Sequence, residues 1–412
     1  MLFRSRVSPR RALPPRGLYL HVPFCRSLCP YCDFVVVAGA AAFGPRSRVA
    51  GYLTAVEREI DLRATALDLQ FGSVGAARRP PLETLYLGGG TPSLIPTDQL
   101  ARLIDRVRDR FGLTAGAEVT LEANPGADER GDLRGIAQAG VSRLSIGVQV
   151  METSALRSLG RRHTPGDAAA TVAAARAAGF ASLSLDLLAD LPGVPFNAWA
   201  ESLDAALALA PDHLSVYALM LSLSPDESVD DRLATPAGAV AWRQRAAAAQ
   251  DEERGAQELE HLDVRLPAAG YAWYEISNWA LPGHESRHNR LYWERASVEA
   301  VGPGAHAFDG VSRRWNSADL DAWEGALAQG VLPPGGSAPT AGGEEAAAES
   351  LVLALRMARG VARDVASSAG FGEAIAWGEE HGLLATHPDD ATRVQLTLRG
   401  RLLSNELFSR IV

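Results

Sequence analysis

Three cysteines, Cys25, Cys29 and Cys32, are the only thiols in this 412-residue chain, and all stand in the stretch LYLHVPFCRSLCPYCDF. A chain that gathers its thiols into one short loop uses them for metal binding or redox chemistry. Three thiolates can hold three corners of a cubane [4Fe–4S] cluster, whose full protein ligation takes four. The fourth iron is then open to an outside ligand. Zinc is the competing reading, but a closed zinc site wants four donors, so His21 or a more distant histidine would have to join. The C-x3-C-x2-C spacing is also unusual for a zinc knuckle. An odd cysteine count, with nothing resembling a secretory signal, argues against a disulfide framework.

The elements that must carry this loop alternate. Short β-rich runs at Leu18–Val22, Thr84–Leu87, Glu118–Glu122, Arg143–Gly147, Ser182–Leu187 and His213–Tyr217 are separated by helical patterns near Val49–Leu69, Thr97–Phe111, Asp132–Gln138, Asp167–Ala178 and Asn197–Leu207. Gly140 and Gly179 stand where helix-ending glycines belong. Such alternation predicts an α/β fold with a parallel sheet and helices outside it. Six units are too few for a closed eight-stranded barrel, so a partial (β/α)6 barrel is expected over residues 17–225. The cysteine loop, the GGGTP run at 88–92, Glu122, Gln149 and Asp186 then share the carboxyl end of the strands, where parallel α/β folds build their sites. In GGGTP, free backbone N–H groups could receive a carboxylate. Arg161, in LGRRH, could pair with one in bidentate fashion.

The second half is rich in aromatics and histidine. Five of the eight tryptophans lie between Trp273 and Trp323, among YEISNWA, HESRHNRLYW and GPGAHAF. A tryptophan-filled core is one reading. A flat apolar slot with a heme-ligating histidine, His288 or His306, is the other. His284, after Gly283, reads as a loop residue. Residues 226–332 are thus expected as a smaller α+β region, and 333–343 (PPGGSAPTAGG) as a flexible linker. Residues 344–412 are expected as a winged-helix-like domain. Ten acids against seven arginines there remove the driving term for nucleic-acid binding. Residues 1–16, with five arginines, read as a disordered basic extension.

The net charge of −9 gives no reason to expect a nucleic acid or an anionic bilayer as partner. No run approaches the ~18 apolar residues of a membrane span. Reduced thiols point to the cytoplasm. All forty basic residues are arginine, a bias that reads as coding composition rather than function.

The cysteine loop with HVPFC and CPYCDF, together with GGGTP, EANPG, IGVQ and LGRRH, resembles the radical S-adenosylmethionine (SAM) superfamily, in its coproporphyrinogen III dehydrogenase-like branch. The resemblance implies a [4Fe–4S] cluster on Cys25, Cys29 and Cys32, with SAM filling the open iron. Its SAM contacts would be Tyr19, Tyr31, Gly89, Gly90, Thr91, Glu122, Gln149, Arg161 and Asp186. His288, Asn289, Tyr292 and Trp293 match an H-N-x2-Y-W motif found in that branch's heme chaperones, and His306 closes a neighbouring G-x-G-x-H segment. After Tyr217 the chain reads ALMLSLSP, where relatives would carry a threonine and an acid, so no acidic role is expected at Ser222.

Two functions follow from the resemblance. The first is heme binding and delivery to an acceptor such as a respiratory hemoprotein. The second is oxygen-independent decarboxylation of coproporphyrinogen III propionates, with an electron donor reducing the cluster so that SAM is cleaved. The dehydrogenases carry a further cysteine two residues after the third, where this chain has Phe34, and a longer segment before the loop. Both differences favour the chaperone.

Overall fold

Six parallel strands stand side by side in chain order in the computed structural model, which describes residues 11–45, 47–75, 79–221, 238–340 and 342–412. They are β1 (Gly17–Val22), β2 (Leu82–Gly89), β3 (Leu113–Ala123), β4 (Arg143–Gln149), β5 (Ser182–Ala189) and β6 (His213–Ala218). Leu18 lies opposite Leu85, Leu121 opposite Leu144, and Leu185 opposite Leu214. Because side chains alternate along a strand, this leucine register faces outward onto the helices. The intervening residues, among them Tyr86, Glu122, Ser145 and Asp186, face inward. Barrel interiors are usually filled by branched apolar side chains; here the inner face is largely polar, and it encloses a chamber.

The outer helices are α1 (Val49–Phe71), α2 (Thr97–Phe111), α3 (Leu133–Gln138), α4 (Pro165–Ala178) and α5 (Phe196–Leu207). In α2, Leu100, Leu103, Ile104, Val107 and Phe111 are buried at helical spacing. Truncating one such leucine to alanine costs about 2–5 kcal/mol. A capping box between Thr164 and Asp167, with Pro165 in the first turn, starts α4. It ends at Gly179, whose φ of +86° is a left-handed conformation that a side chain would oppose. The partial (β/α)6 barrel is therefore as expected, with strand and helix bounds close to those read from the sequence.

The second half departs from expectation. The described residues of 226–332 do not stand apart as a smaller region, because their strands extend both edges of the barrel sheet. β7 (Ala272–Glu275) and β8 (Asn278–Ala280) add beyond β6, while β9 (Val298–Val301) pairs in parallel with β1. β10 (His306–Phe308), β11 (Ser312–Asn316) and β12 (Gly335–Pro339) follow, giving twelve strands in order β12-β11-β10-β9-β1-β2-β3-β4-β5-β6-β8-β7. An open half-barrel leaves two unpaired edges, and covering them satisfies backbone groups that would otherwise be exposed. Within the supposed linker, Gly335–Pro339 form an edge strand for the same reason. Its small residues fit there: a Cβ at Gly336 would fall 2.2 Å from the Trp315 ring.

The expected N-terminal extension is tied down where it is described. Leu13 N–H donates to Asp309 O at 2.8 Å, and Arg16 pairs with Glu83. Residues 1–10 and Ser222 lie outside the described residues. Three helices matter below: α6 (Ala239–Ala247), α7 (Glu252–Ala268) and α8 (Arg287–Trp293). The C-terminal region, Gly343–Leu355 onward, carries short helices and a three-stranded antiparallel sheet around its own core of Leu355, Ile375, Val394 and Leu407. It docks on the barrel through Arg401, which pairs with Asp263 of α7 and covers the Trp273 ring at 4.4 Å. Among the described residues, no helix is long and apolar enough to cross a membrane.

Candidate functional site

The cysteine loop leaves β1 at the carboxyl rim and is closed at its neck. Phe24 and Cys25 pair in parallel with Val37 and Ala38, and Val37 N–H donates to Pro23 O at 2.6 Å. Within the loop, Cys32 N–H donates to Cys29 O at 3.1 Å, which folds CPYC into a tight turn. All three cysteines are half-buried and line one chamber of about 380 Å³ that runs into the barrel.

The donor set fits a cubane better than zinc. His21, the fourth zinc donor named from the sequence, is spent: its Nε2 lies 2.7 Å from Val35 O and its Nδ1 lies 3.0 Å from Tyr19 OH. A carbonyl only accepts, so Nε2 carries the proton and Nδ1 receives the tyrosine hydroxyl. Burial also lowers the His21 pKa to about 4. Among the described residues, no three His, Cys, Asp or Glu side chains already converge on a single point. A cubane instead takes one thiolate per corner. Burial pushes the Cys25 thiol up to about 12, against the Thr91 hydrogen bond that favours the thiolate, and the Cys32 thiol up to about 11. Left alone, these thiols are protonated and inert; a cationic metal centre displaces such protons.

Around the rim, Gly89 and Gly90 lie on the chamber wall, but their N–H groups are already used. Gly89 N–H donates to Glu122 Oε2 at 2.9 Å, Gly90 N–H to Val22 O at 2.8 Å and Thr91 N–H to Phe24 O at 2.8 Å. The expected free N–H cradle is therefore absent. The glycines serve close approach instead: a Cβ at Gly90 would meet Phe24 O at 2.7 Å. Glu122 faces the chamber, held by Tyr86 OH at 2.8 Å, and burial raises its pKa to about 7. Asp186, whose desolvated carboxyl likewise has a raised pKa, is held by Ser145 Oγ at 2.9 Å. Arg161 joins the two sides of the mouth: it donates to Asn124 Oδ1 at 2.5 Å, to Gly147 O at 2.7 Å and to Cys29 Sγ at 3.8 Å. Asn124 in turn donates to Thr91 Oγ1 at 3.1 Å, and Thr91 Oγ1 donates to Cys25 Sγ at 3.4 Å. Gln149 ends β4 at φ +66°, a conformation rare for a residue with a side chain, at a bulge that lets it line the mouth.

Tyr31 joins Gly89, Gly90, Glu122, Gln149, Arg161 and Asp186 on the chamber wall, whereas Tyr19 and Thr91 stand behind it. Tyr86 and Arg243 were missed by the sequence reading. Strand alternation from Leu85 and Leu87 places Tyr86 inside, and could have found it. Arg243, on an alanine-rich helix far along the chain, gave no signal.

The H-N-x2-Y-W residues are elsewhere. Helix α8 closes the amino end of the barrel, where Glu118, near the start of the central run of β3, accepts from the N–H groups of Arg287 and His288 at 3.2 and 3.0 Å. His288 is fully buried. Its Nδ1 is 2.7 Å from Thr84 Oγ1 and its Nε2 is 2.9 Å from Tyr292 OH, with the pKa lowered to about 3 by burial. It is a satisfied core histidine here, not an exposed iron ligand. Asn289 reaches the chamber floor, Tyr292 is partly exposed, and Trp293 lies 4.3 Å beneath the Arg356 guanidinium. His306 lies at the opposite end, exposed on β10 and stacked on Trp315 with ring centroids 6.0 Å apart. The loop before it rests on the cluster loop: a Cβ at Gly304 would meet Val35 at 2.6 Å.

Residues 19–206 match the radical SAM superfamily model, so the half-barrel and its three-cysteine loop are a radical SAM domain. The chain is 38% identical to the heme chaperone HemW of Mycobacterium tuberculosis, across 97% of this chain and 95% of that one. It is 32% identical to HemW of Synechocystis (97% of each chain) and 31% identical to HemW of Bacillus subtilis (95% and 98%). The chain belongs to the HemW family of the radical SAM superfamily. Its fold is also that of coproporphyrinogen III oxidase (HemN) from Escherichia coli, with a TM-score of 0.76 at 22% identity over 97% of this chain and 91% of that one.

Proposed function

We propose that this protein is a heme chaperone, one that holds a [4Fe–4S] cluster, SAM and heme and passes the heme to an acceptor hemoprotein. The observation that carries the reading is likeness to curated heme chaperones along nearly the whole chain, 38% over 97% of it. Cys25, Cys29 and Cys32 are the cluster ligands. A cluster held this way supplies an electron to the SAM sulfonium when reduced.

The chain's own residues do the rest. Glu122, ionised, accepts a hydrogen bond from a SAM hydroxyl or ammonium, while Tyr86 and Gly89 fix its two oxygens. Arg161 sets a permanent positive charge between the cluster loop and β4. Gln149 and Asp186 complete the wall. Heme is cargo; of the two candidate histidines His306 is the solvent-exposed one, and His288 reaches iron only if its bonds to Thr84 and Tyr292 break. The acceptor is a hemoprotein of the respiratory class, and the compartment is the cytoplasm.

The test uses anaerobically reconstituted protein loaded with heme and mixed with a heme-depleted acceptor. Transfer should restore the acceptor's spectrum, while coproporphyrinogen III with SAM and a reductant should yield no protoporphyrinogen. Robust turnover without heme transfer would overturn the chaperone reading in favour of the dehydrogenase. His306→Ala should lower heme uptake more than His288→Ala does; the reverse order would mean that α8 opens to admit heme.

A further inference from the structure

The cluster loop is gripped from outside the barrel by one side chain. Arg243 lies on α6, whose inward stripe at helical spacing is Ala239, Arg243 and Ala246. Two of those positions present only methyl groups, so Arg243 is the one long side chain in that buried stripe, and Trp242 beside it is partly buried against the core. Its side chain is 7% exposed. Nε donates to Pro30 O at 2.9 Å, and Nη2 donates to Cys32 O at 3.0 Å and lies 2.8 Å from Asp33 Oδ1. The neighbouring Trp242 packs near Tyr31, with ring centroids 6.4 Å apart. The grip thus runs from Pro30 to Asp33, across the turn between the second and third cysteines.

We propose that Arg243 is a positioning residue for the iron–sulfur cluster, holding the CPYC turn in its ligand-presenting shape and keeping a fixed positive charge beside the metal site. Two carbonyls bound by one guanidinium set the Pro30–Tyr31 and Cys32–Asp33 peptide planes, and with them the way the turn presents Cys29 and Cys32. A lysine could not make this contact as well, because its single ammonium lacks the planar fork that reaches separated acceptors. Asp33 has two parts in the arrangement: it anchors Arg243 from the loop side and tempers the charge felt at the cluster. Outer partners of this kind orient ligands, and a nearby net charge tunes a cluster's potential. The inference rests on the cysteine-held cluster of the reading above.

The test compares wild type, Arg243→Gln, Arg243→Lys and Asp33→Asn, each reconstituted anaerobically with iron and sulfide. The first readout is iron loss to a chelator, with the Tm of the metal-free form as the control for folding. Arg243→Gln should lose iron about 10- to 100-fold faster, the usual range for outer-shell changes, and Arg243→Lys should recover part of the loss. The second readout is the cluster midpoint potential, followed by electron paramagnetic resonance. It should move negative in Arg243→Gln, where a cation is removed, and positive in Asp33→Asn, where an anion is removed.

Equal iron retention in wild type and Arg243→Gln overturns the proposal. So does faster loss that tracks a fall in metal-free Tm and is not repaired by lysine. If Arg243→Gln does not fold, Asp33→Asn still decides, since it leaves both carbonyl bonds in place; an unmoved potential then refutes the charge role. A wild type that takes up no iron would instead sink the cluster assignment itself.

Discussion

The two ends of the barrel carry similar residue types and use them in opposite ways. At the carboxyl rim, thiols, carboxylates and Arg161 face a chamber, and burial raises the pKa values of two of the three thiols. At the amino floor, His288 has both nitrogens bonded within the protein and Glu118 accepts from the start of α8. A buried polar group that is fully partnered stabilises; one left facing a cavity is held ready for something else. The contrast teaches that motif likeness does not fix role. The H-N-x2-Y-W residues form a plug under the barrel, while the G-x-G-x-H histidine lies beside the cluster loop at the other end.

Substitutions at the two ends should therefore fail differently. Cys29→Ser has the largest expected effect. The wild type should reconstitute about four irons per chain, as one cubane requires, and the variant close to none, measured by iron and sulfide assay. Comparable iron in both would remove the rim from consideration as a metal site. Next is His288→Ala, which deletes two buried hydrogen bonds and leaves a cavity. It should cost about 2–4 kcal/mol of stability in the metal-free protein, read by urea unfolding. An unaltered midpoint would show that the floor is not the sealed structure described above.

A smaller effect belongs to Glu122. With a folded pKa of about 7, its ionised share rises from roughly one-tenth at pH 6 to roughly nine-tenths at pH 8, so SAM affinity should climb about tenfold across that interval. The sign follows from burial, which raises the pKa and so keeps the proton on at low pH; the binding form is present above the folded pKa and lost below it. Glu122→Gln should flatten the profile, measured by calorimetry on cluster-loaded protein. A profile that falls with pH would mean that the protonated acid is the binder. The smallest effect is His306→Ala on stability, about 0.5 kcal/mol or less because the ring is exposed. A larger loss would tie His306 to the core and blur the difference between the two histidines.

Much of the first half was legible because local signals agreed there. Apolar strands alternated with helices, Gly140 and Gly179 marked helix ends, and the cysteine spacing stood alone in the chain. Reading the GGGTP glycines as an N–H cradle was wrong for a nonlocal reason: the donors are taken by Val22, Phe24 and Glu122, from a neighbouring strand, the loop after it and the next strand. The composition of 333–343 suggested flexibility, but an available sheet edge and the Trp315 ring make a strand of Gly335–Pro339. Nothing in AVAWRQRAA announced that Arg243 would reach a loop some two hundred residues earlier.

The sequence by itself determined the chemistry of the mouth. Thiol spacing and strand-end polar residues are local facts, and the parallel α/β rule carries them to one rim without further information. Only the tertiary structure decided which histidine is buried and which is exposed, and which arginine holds the cluster loop. Those outcomes depend on partners far apart in the chain meeting as side chains pack, and residue order does not encode which nitrogen or carbonyl is already bonded when they do.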